Sequence, residues 1–204
     1  STQLAATYVL ALAFAQARGT VTAEEFRKLT AELATIPEKI EKLLEHKERI
    51  QWFASKRANM EHAFFIGRGL DYAAGLEGSL KMKEISYIHS EAYPAGELKH
   101  GTISLIEEDT LVVGLLTQQA LYEKTLSNLQ ECKSRGAYLM ALTMEGNYSI
   151  EDSADFVIYI PKTDSHFAPS LAVIPLQLLG YYLSVSKGLD VDKPRNLAKS
   201  VTVE

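Results

Sequence analysis

The sequence predicts an α/β protein in which a doubly wound parallel sheet is covered by helices on both faces and preceded by a helical segment. About the first 55 residues show helical patterns and no strand. After residue 62, continuous apolar runs alternate with helical patterns, which is typical of a parallel sheet buried on both faces. A chain of 204 residues, 47% hydrophobic and 23% charged, suffices for one sizeable core but not for two full-sized domains.

Three helices are predicted in the amino-terminal segment. The uncharged, Ala/Leu-rich stretch from Thr2 to Ala17 predicts a buried helix that ends at Gly19. Thr22-Ala-Glu-Glu25 is a capping box for a second helix. Thr35-Ile-Pro-Glu38 repeats that pattern, and we expect one long amphipathic helix from there to Phe53.

The remaining chain predicts four strands and three further helices. The strands are the apolar runs 63–66, 111–116, 138–142 and 156–160, and the helices are 73–89, 121–135 and 171–187. In such a sheet, ligands gather at the carboxyl ends of the strands. Phe167 to Ser186 is also uncharged, but Pro169, Pro175 and Gln177 interrupt it, so we predict a buried helix and no membrane span.

Charge and cysteine content exclude several classes of function. The net charge of -5 argues against a nucleic-acid partner, because that binding needs basic surface. Cys132 is the single cysteine, which excludes a disulfide framework or a Cys-rich metal site and favours a reducing, cytoplasmic location. The five histidines show no metal-ligand spacing, so neither a metal nor a cofactor is predicted. Gly67-Arg68-Gly69 lacks the third glycine of a nucleotide fingerprint and predicts a tight turn.

Three sets of residues could carry chemistry. Lys81 and Glu84 are three residues apart, which on a helix gives either a surface ion pair or a lysine that tunes a carboxylate base. Pro94, Gly96 and Gly101 predict an irregular loop that presents His100, either as an ordinary loop histidine or as a proton carrier. The polar tail after residue 190 is either frayed or docked, and a docked lysine can act as an amine nucleophile.

Two long stretches resemble the signature of the glutamine–fructose-6-phosphate aminotransferases, or glucosamine-6-phosphate synthases. One runs from Leu76-Glu-Gly-Ser-Leu-Lys-Met-Lys-Glu-Ile to Gly-Glu-Leu-Lys-His-Gly101, and the other is Pro194-Arg-Asn-Leu-Ala-Lys-Ser-Val-Thr-Val-Glu204. The resemblance covers essentially the whole chain and implies a flavodoxin-like sugar-isomerase (SIS) fold. It divides the chain into the end of a first SIS domain with linker helices (1–53), a second SIS domain (54–190) and a catalytic tail (191–204).

The resemblance also implies roles for individual residues. Glu84 would be the general base that moves a proton between C1 and C2 of fructose 6-phosphate, and Lys81 would stabilise the enolamine intermediate. His100 would open the sugar ring in the neighbouring subunit of a homodimer. Lys199 would form a Schiff base with the sugar, and Ala198, Lys199 and Glu84 would bind it.

The sequence departs from that family pattern in two respects. The strand end Leu115-Leu-Thr-Gln-Gln119 lacks the Ser/Thr-rich phosphate loop of a first SIS domain, and Cys132 does not match the glutaminase nucleophile. We therefore expect an excised carboxyl-terminal portion, inactive alone, whose partners are the glutaminase and first SIS domain of a parent chain. A non-catalytic SIS module that binds a sugar phosphate or dimerises remains an alternative.

Overall fold

A sheet of five parallel strands lies at the centre of the computed structural model, which describes residues 2–197. The strand order is β2-β1-β3-β4-β5, and every neighbouring pair is parallel. The strands are β1 His62–Gly67, β2 His89–Pro94, β3 Leu111–Leu116, β4 Tyr138–Met144 and β5 Phe156–Ile160. The predicted parallel sheet is confirmed, with one more strand than expected.

The additional strand, β2, lies in the stretch that we predicted to be a helix end and an irregular loop. That prediction is wrong because His89-Ser-Glu-Ala-Tyr-Pro94 lacks the apolar run of the other strands. β2 pairs on one side only, with β1. Only Ser90 of β2 is buried, whereas four of the five residues of β5, the other edge strand, are buried. An edge strand also tolerates proline, so the sequence of β2 carries little strand signal.

Helices cover both faces of the sheet and enclose two hydrophobic cores. Seven α-helices lie in the part of the chain that the structure describes: α1 Thr2–Ala17, α2 Ala23–Ala34, α3 Ile36–Glu45, α4 Lys47–Arg57, α5 Leu70–Lys81, α6 Tyr122–Lys133 and α7 Ala168–Ser186. Residues of α3, α4, α5 and α7 fill the core on one face, while α6 closes the core on the other. The doubly wound architecture is therefore confirmed.

Helix α7 is the central helix of the larger core. It is long and apolar enough to cross a membrane, but 67% of its most apolar 18-residue window is buried within the protein. It packs against both α4 and α5. The prediction of a buried helix from Phe167 to Ser186 is confirmed.

The amino-terminal segment differs from the prediction in three ways. The expected long helix after Thr35 is two helices, because the backbone leaves the helical region at His46 (φ -106°, ψ 16°). Thr35 makes no capping hydrogen bond with its side chain, whereas the capping box at Thr22 is present. No residue of α1 is buried, and Phe14 is 65% exposed. The prediction that α1 is buried is wrong, because within residues 2–197 it lacks a helix or strand that covers its apolar face.

The directions of α5 and α7 define two edges of the sheet. Both helices follow the carboxyl end of a strand and run back along the sheet, so their last turns lie near the amino ends of the strands. We call the region of residues 81–87 and 187–197 the amino-end edge. The carboxyl-end edge comprises the segments that follow β1, β2, β3 and β5, residues 67–71, 95–100, 117–119 and 161–166.

Candidate active site

An ion pair between Lys81 and Glu84 forms the centre of the amino-end edge. Lys81 Nζ lies 2.6 Å from Glu84 Oε2 and 3.8 Å from Glu77 Oε1. The side chains of Lys81 and Glu84 are 32% and 27% exposed. The hydrogen bond to Glu84 raises the pKa of Lys81, with partial burial opposing it, so Lys81 is an ammonium at neutral pH. The pair predicted from sequence spacing is present as an accessible carboxylate beside a positive charge.

Glu77 adds a second carboxylate that sequence reasoning did not assign. It lies four residues before Lys81, on the same face of α5, and this spacing was the available signal. Glu77 also lines a cavity of about 310 Å³ between α1, α5 and α7. The lysine therefore contacts carboxylates on both sides.

Glu84 lies in a π-helix, Met82–Ser86, that continues directly from α5. Single π-helical turns are rare in proteins, and those that occur are often found at functional sites. Met82 and Ser86 are buried, and the Ser86 hydroxyl donates a 2.7 Å hydrogen bond to the Met82 carbonyl. A methyl group added at Gly180 of α7 would lie 3.7 Å from the Lys81 carbonyl oxygen. The close approach of α7 and the π-turn thus fix the segment from which Glu84 projects.

His100 lies at the opposite edge of the sheet from this ion pair. It ends a 3₁₀ helix, Ala95–His100, that follows the carboxyl end of β2, whereas Lys81 and Glu84 precede the amino end of β2. His100 Nδ1 is 2.8 Å from Glu97 Oε2, and the two side chains are 73% and 62% exposed. One chain therefore brings Lys81 and Glu84 together but does not bring His100 to them.

The tail leaves α7 at the amino-end edge and contacts Tyr87. The Arg195 backbone N–H donates a 2.8 Å hydrogen bond to the Tyr87 hydroxyl, and the Arg195 guanidinium carbon lies 4.1 Å from the Tyr87 ring centre. Leu197, two residues further along the tail, is 54% exposed. Ala198 and Lys199 lie outside the described residues. Nothing in the sequence indicated Tyr87, because its contact joins residues 108 positions apart.

The carboxyl-end edge contains a buried carboxylate that sequence reasoning also missed. Asp71 accepts hydrogen bonds from the Thr117 backbone N–H at 2.8 Å, from the Gln118 backbone N–H at 3.1 Å and from the Thr117 hydroxyl. Asp71 is 2% exposed, and burial raises its pKa, with these three hydrogen bonds opposing the shift. The donors that follow β3 are therefore engaged within the protein.

At the carboxyl ends of β1 and β3, beside Asp71, lies the position where a doubly wound sheet usually binds its ligand. The chain passes from β1 to β2 on one side and continues to β3 on the other, so the strand order reverses there. Ligands of such folds bind outside the carboxyl ends of the strands at that point. Of the residues expected to be catalytic, His100 lies at the carboxyl-end edge, but Lys81 and Glu84 lie at the other.

Comparison with known proteins identifies the domain. A family model described as the SIS domain matches residues 58–187. The chain belongs to the SIS-domain family. The matched range begins near the end of α4 and ends just after α7, so it contains the whole sheet.

Relatives of this SIS protein are named glutamine–fructose-6-phosphate aminotransferases. Over all 204 residues it is 57% identical to a glutamine–fructose-6-phosphate aminotransferase (isomerizing) of Caldanaerobacter subterraneus subsp. tengcongensis. It is 59% identical over 203 residues to the enzyme of the same name from Clostridium tetani. The chain spans 34% and 33% of the lengths of these relatives. The resemblance drawn from residues 76–101 and 194–204 is confirmed.

Solved structures agree with this assignment. The carboxyl-terminal domain of the glucosamine–fructose-6-phosphate aminotransferase from Francisella tularensis matches with a TM-score of 0.88 and 38% identity, over 95% of this chain and 55% of that one. A glucosamine-6-phosphate deaminase from Thermotoga maritima matches with a TM-score of 0.64 and 24% identity, over 97% of this chain and 56% of that one. The second match supports the fold alone.

Proposed function

We propose that this SIS domain carries the isomerising chemistry of a glutamine–fructose-6-phosphate aminotransferase, which converts fructose 6-phosphate and ammonia from glutamine into glucosamine 6-phosphate. One observation carries the proposal. The Lys81–Glu84 pair and the docked tail occupy the same edge of the sheet. A carboxylate base, an ammonium group and the residues that lead to Lys199 are thereby gathered in one region.

The reaction needs a proton to move between two adjacent sugar carbons. Fructose 6-phosphate carries a ketone at C2, and the product carries an aldehyde at C1 and an amine at C2. When the Lys199 amine condenses with the C2 ketone and water leaves, the C=N bond that forms acidifies the hydrogen on C1. Ammonia then replaces the lysine on C2 and remains as the product amine.

Glu84 is the base that this chemistry requires. Its carboxylate takes the proton from C1 to give an enolamine and returns it to C2. The Lys81 ammonium, 2.6 Å from Glu84 Oε2, holds the carboxylate in place and stabilises negative charge that develops on the substrate oxygen. A cation kept charged by its carboxylate partner suits that role better than a second base would.

Additional copies or domains complete the site in this proposal. His100 is at the opposite edge of the sheet from Glu84 and acts on the substrate of a second copy in a homodimer. Apolar residues remain exposed on α5 and α7, which pack side by side, and offer a surface for that contact: Leu76, Leu80, Tyr181 and Val185. The exposed face of α1 packs on a first SIS domain of a longer chain. That domain supplies the phosphate cradle, and a glutaminase domain supplies ammonia, so the 204-residue polypeptide alone is inactive.

Replacement of Lys199 in the complete enzyme tests the proposal. Lys199→Ala is expected to abolish glucosamine 6-phosphate formation and to spare glutamine hydrolysis, because the amine that forms the Schiff base is lost. Lys193→Ala, in the same tail, is the matched control and should retain both activities. Substantial synthase activity in Lys199→Ala would contradict the assignment and would favour the non-catalytic SIS module instead.

A further inference from the structure

We propose that Tyr87 is a positioning residue that holds the carboxyl-terminal tail against the helix bearing Glu84. This inference rests on the proposed function, because it assigns Tyr87 a part in delivering Lys199. Tyr87 follows the π-helix directly and is three residues from Glu84. The tail contact therefore links the predicted nucleophile and the predicted base through a short stretch of backbone.

Two separate contacts join the tail to Tyr87. The Tyr87 hydroxyl accepts a 2.8 Å hydrogen bond from the Arg195 backbone N–H, which fixes the main chain of the tail. The Arg195 guanidinium carbon lies 4.1 Å from the ring centre, within the range of a cation–π interaction, which fixes the side chain. Together they define both the position and the direction of the chain at Arg195.

The conformation of Tyr87 indicates a specific role for this position. Its backbone is left-handed, with φ 58° and ψ 19°, and this conformation is unfavourable for a residue other than glycine. The neighbouring residues Ser86 and Ile88 are 0% and 2% exposed, so the surrounding structure holds the strained residue in place. Strain of this kind concentrates at functional sites.

The chain length from Arg195 to Lys199 limits where the lysine can act. Four residues span at most about 14 Å when fully extended, so anchoring Arg195 limits how far the backbone of Lys199 can move away from the amino-end edge. Holding a nucleophile near its target raises the rate of the chemical step. Loss of the anchor is therefore expected to lower kcat more than it raises KM.

Variants of Tyr87 in the complete enzyme separate its contacts. Tyr87→Gly removes the ring and the hydroxyl, and glycine adopts the left-handed backbone without strain, so the fold should be retained. We expect kcat for glucosamine 6-phosphate formation to fall about tenfold, with glutamine hydrolysis unchanged. Tyr87→Phe keeps the ring and should have a smaller effect. Tyr148→Phe, on an exposed tyrosine, is the control.

Hydrogen exchange gives a readout that does not depend on activity. Exchange of the Arg195 amide should accelerate in Tyr87→Phe and Tyr87→Gly, since both lack the acceptor, and should stay slow in Tyr148→Phe. Wild-type kcat in Tyr87→Gly, or unchanged exchange at Arg195, would overturn the positioning role while leaving the proposed function intact. A wild-type enzyme without isomerising activity would overturn both.

Discussion

The two edges of this sheet differ in what their polar groups do. At the carboxyl-end edge, Asp71 is buried and bonded to three donors from Thr117 and Gln118. At the amino-end edge, the charges of Lys81 and Glu84 are paired but remain accessible. The first arrangement joins two parts of the fold, whereas the second can contact a substrate. At the carboxyl-end edge, the first polar groups after β3 thus bind the protein's own carboxylate.

The direction of two helices explains this difference. Because α5 and α7 run back along the sheet, they deliver Glu84 and the tail to the same edge, far from the strand ends where ligands usually bind. A fold alone does not specify a site, which must be located from particular residues.

The largest effect is expected from loss of the base at the amino-end edge. Glu84→Gln keeps the size of the side chain but cannot accept a proton, so the rate of glucosamine 6-phosphate formation should fall about 10²- to 10⁴-fold. Steady-state assays of synthase and glutaminase activity in the complete enzyme measure this. Glu107→Gln, on an exposed glutamate, serves as control. A rate within a few-fold of wild type would remove Glu84 from the mechanism.

At the carboxyl-end edge, substitution of Asp71 should lower the stability of the fold and leave the catalytic rate unchanged. Asp71→Ala leaves three donors without their acceptor, and each unsatisfied buried group costs about 1–3 kcal/mol. Three such groups together should lower the free energy of unfolding by about 3 kcal/mol or more, measured by urea denaturation, with kcat per folded molecule unchanged. Asp71→Asn keeps one acceptor oxygen, so its free energy of unfolding should lie between those of the wild type and Asp71→Ala. Loss of kcat at full stability would mean that this edge is catalytic.

The separation of His100 from Glu84 predicts complementation between inactive variants. If both residues act on one substrate, they come from different subunits of a symmetric dimer. Equal mixing of Glu84→Gln and His100→Asn chains, followed by exchange of subunits, should restore about a quarter of wild-type activity, because half of the dimers contain one intact site of two. No recovery, with exchange verified by mass, would place both residues in one subunit's site.

The smallest effect is expected at Glu32, which ties α2 to the segment after β5. Burial acts to raise the pKa of Glu32, but hydrogen bonds from Lys39 and Thr163 outweigh it and lower the pKa. A lowered carboxyl pKa stabilises the fold above the ordinary value of 4.5, and this contribution is lost as the pH falls through the folded-state pKa. Glu32→Gln should cost roughly 1 kcal/mol or less at neutral pH.

Denaturant unfolding measured at several pH values tests whether the stabilisation by Glu32 is lost on acidification. The difference in unfolding free energy between wild type and Glu32→Gln should shrink as the solution is acidified. Glu24→Gln, on the exposed surface of α2, should differ little from wild type at any pH. A difference that grows on acidification would contradict the role given to Glu32.

Local patterns predicted the parts of the molecule that depend on neighbouring residues. The apolar runs identified β1, β3, β4 and β5 because those strands are buried on both faces, and the spacing of Lys81 and Glu84 predicted their contact. The hydrophobic pattern gave wrong predictions where the burial of a segment depends on contacts with residues distant in the sequence. The edge strand β2 carries little apolar signal, and α1 is apolar but exposed.

The contacts that distinguish the two edges could not be predicted from spacing. Asp71 and Thr117 are 46 residues apart, and Tyr87 and Arg195 are 108 apart. No local periodicity relates such positions, so their pairing follows only from the way that the helices return along the sheet. The role proposed for Lys199 comes from the resemblance to a known family, since neither composition nor spacing distinguishes it from the other tail lysines.

The location of the Schiff base tests the central claim most directly. The complete enzyme is incubated with fructose 6-phosphate and sodium borohydride, which reduces a C=N bond to a stable amine, and the modified lysine is identified by peptide mass spectrometry. We expect a sugar phosphate adduct on Lys199, which follows the part of the tail that is anchored at the amino-end edge. An adduct on Lys99 or Lys162, which follow the carboxyl ends of β2 and β5, would contradict it.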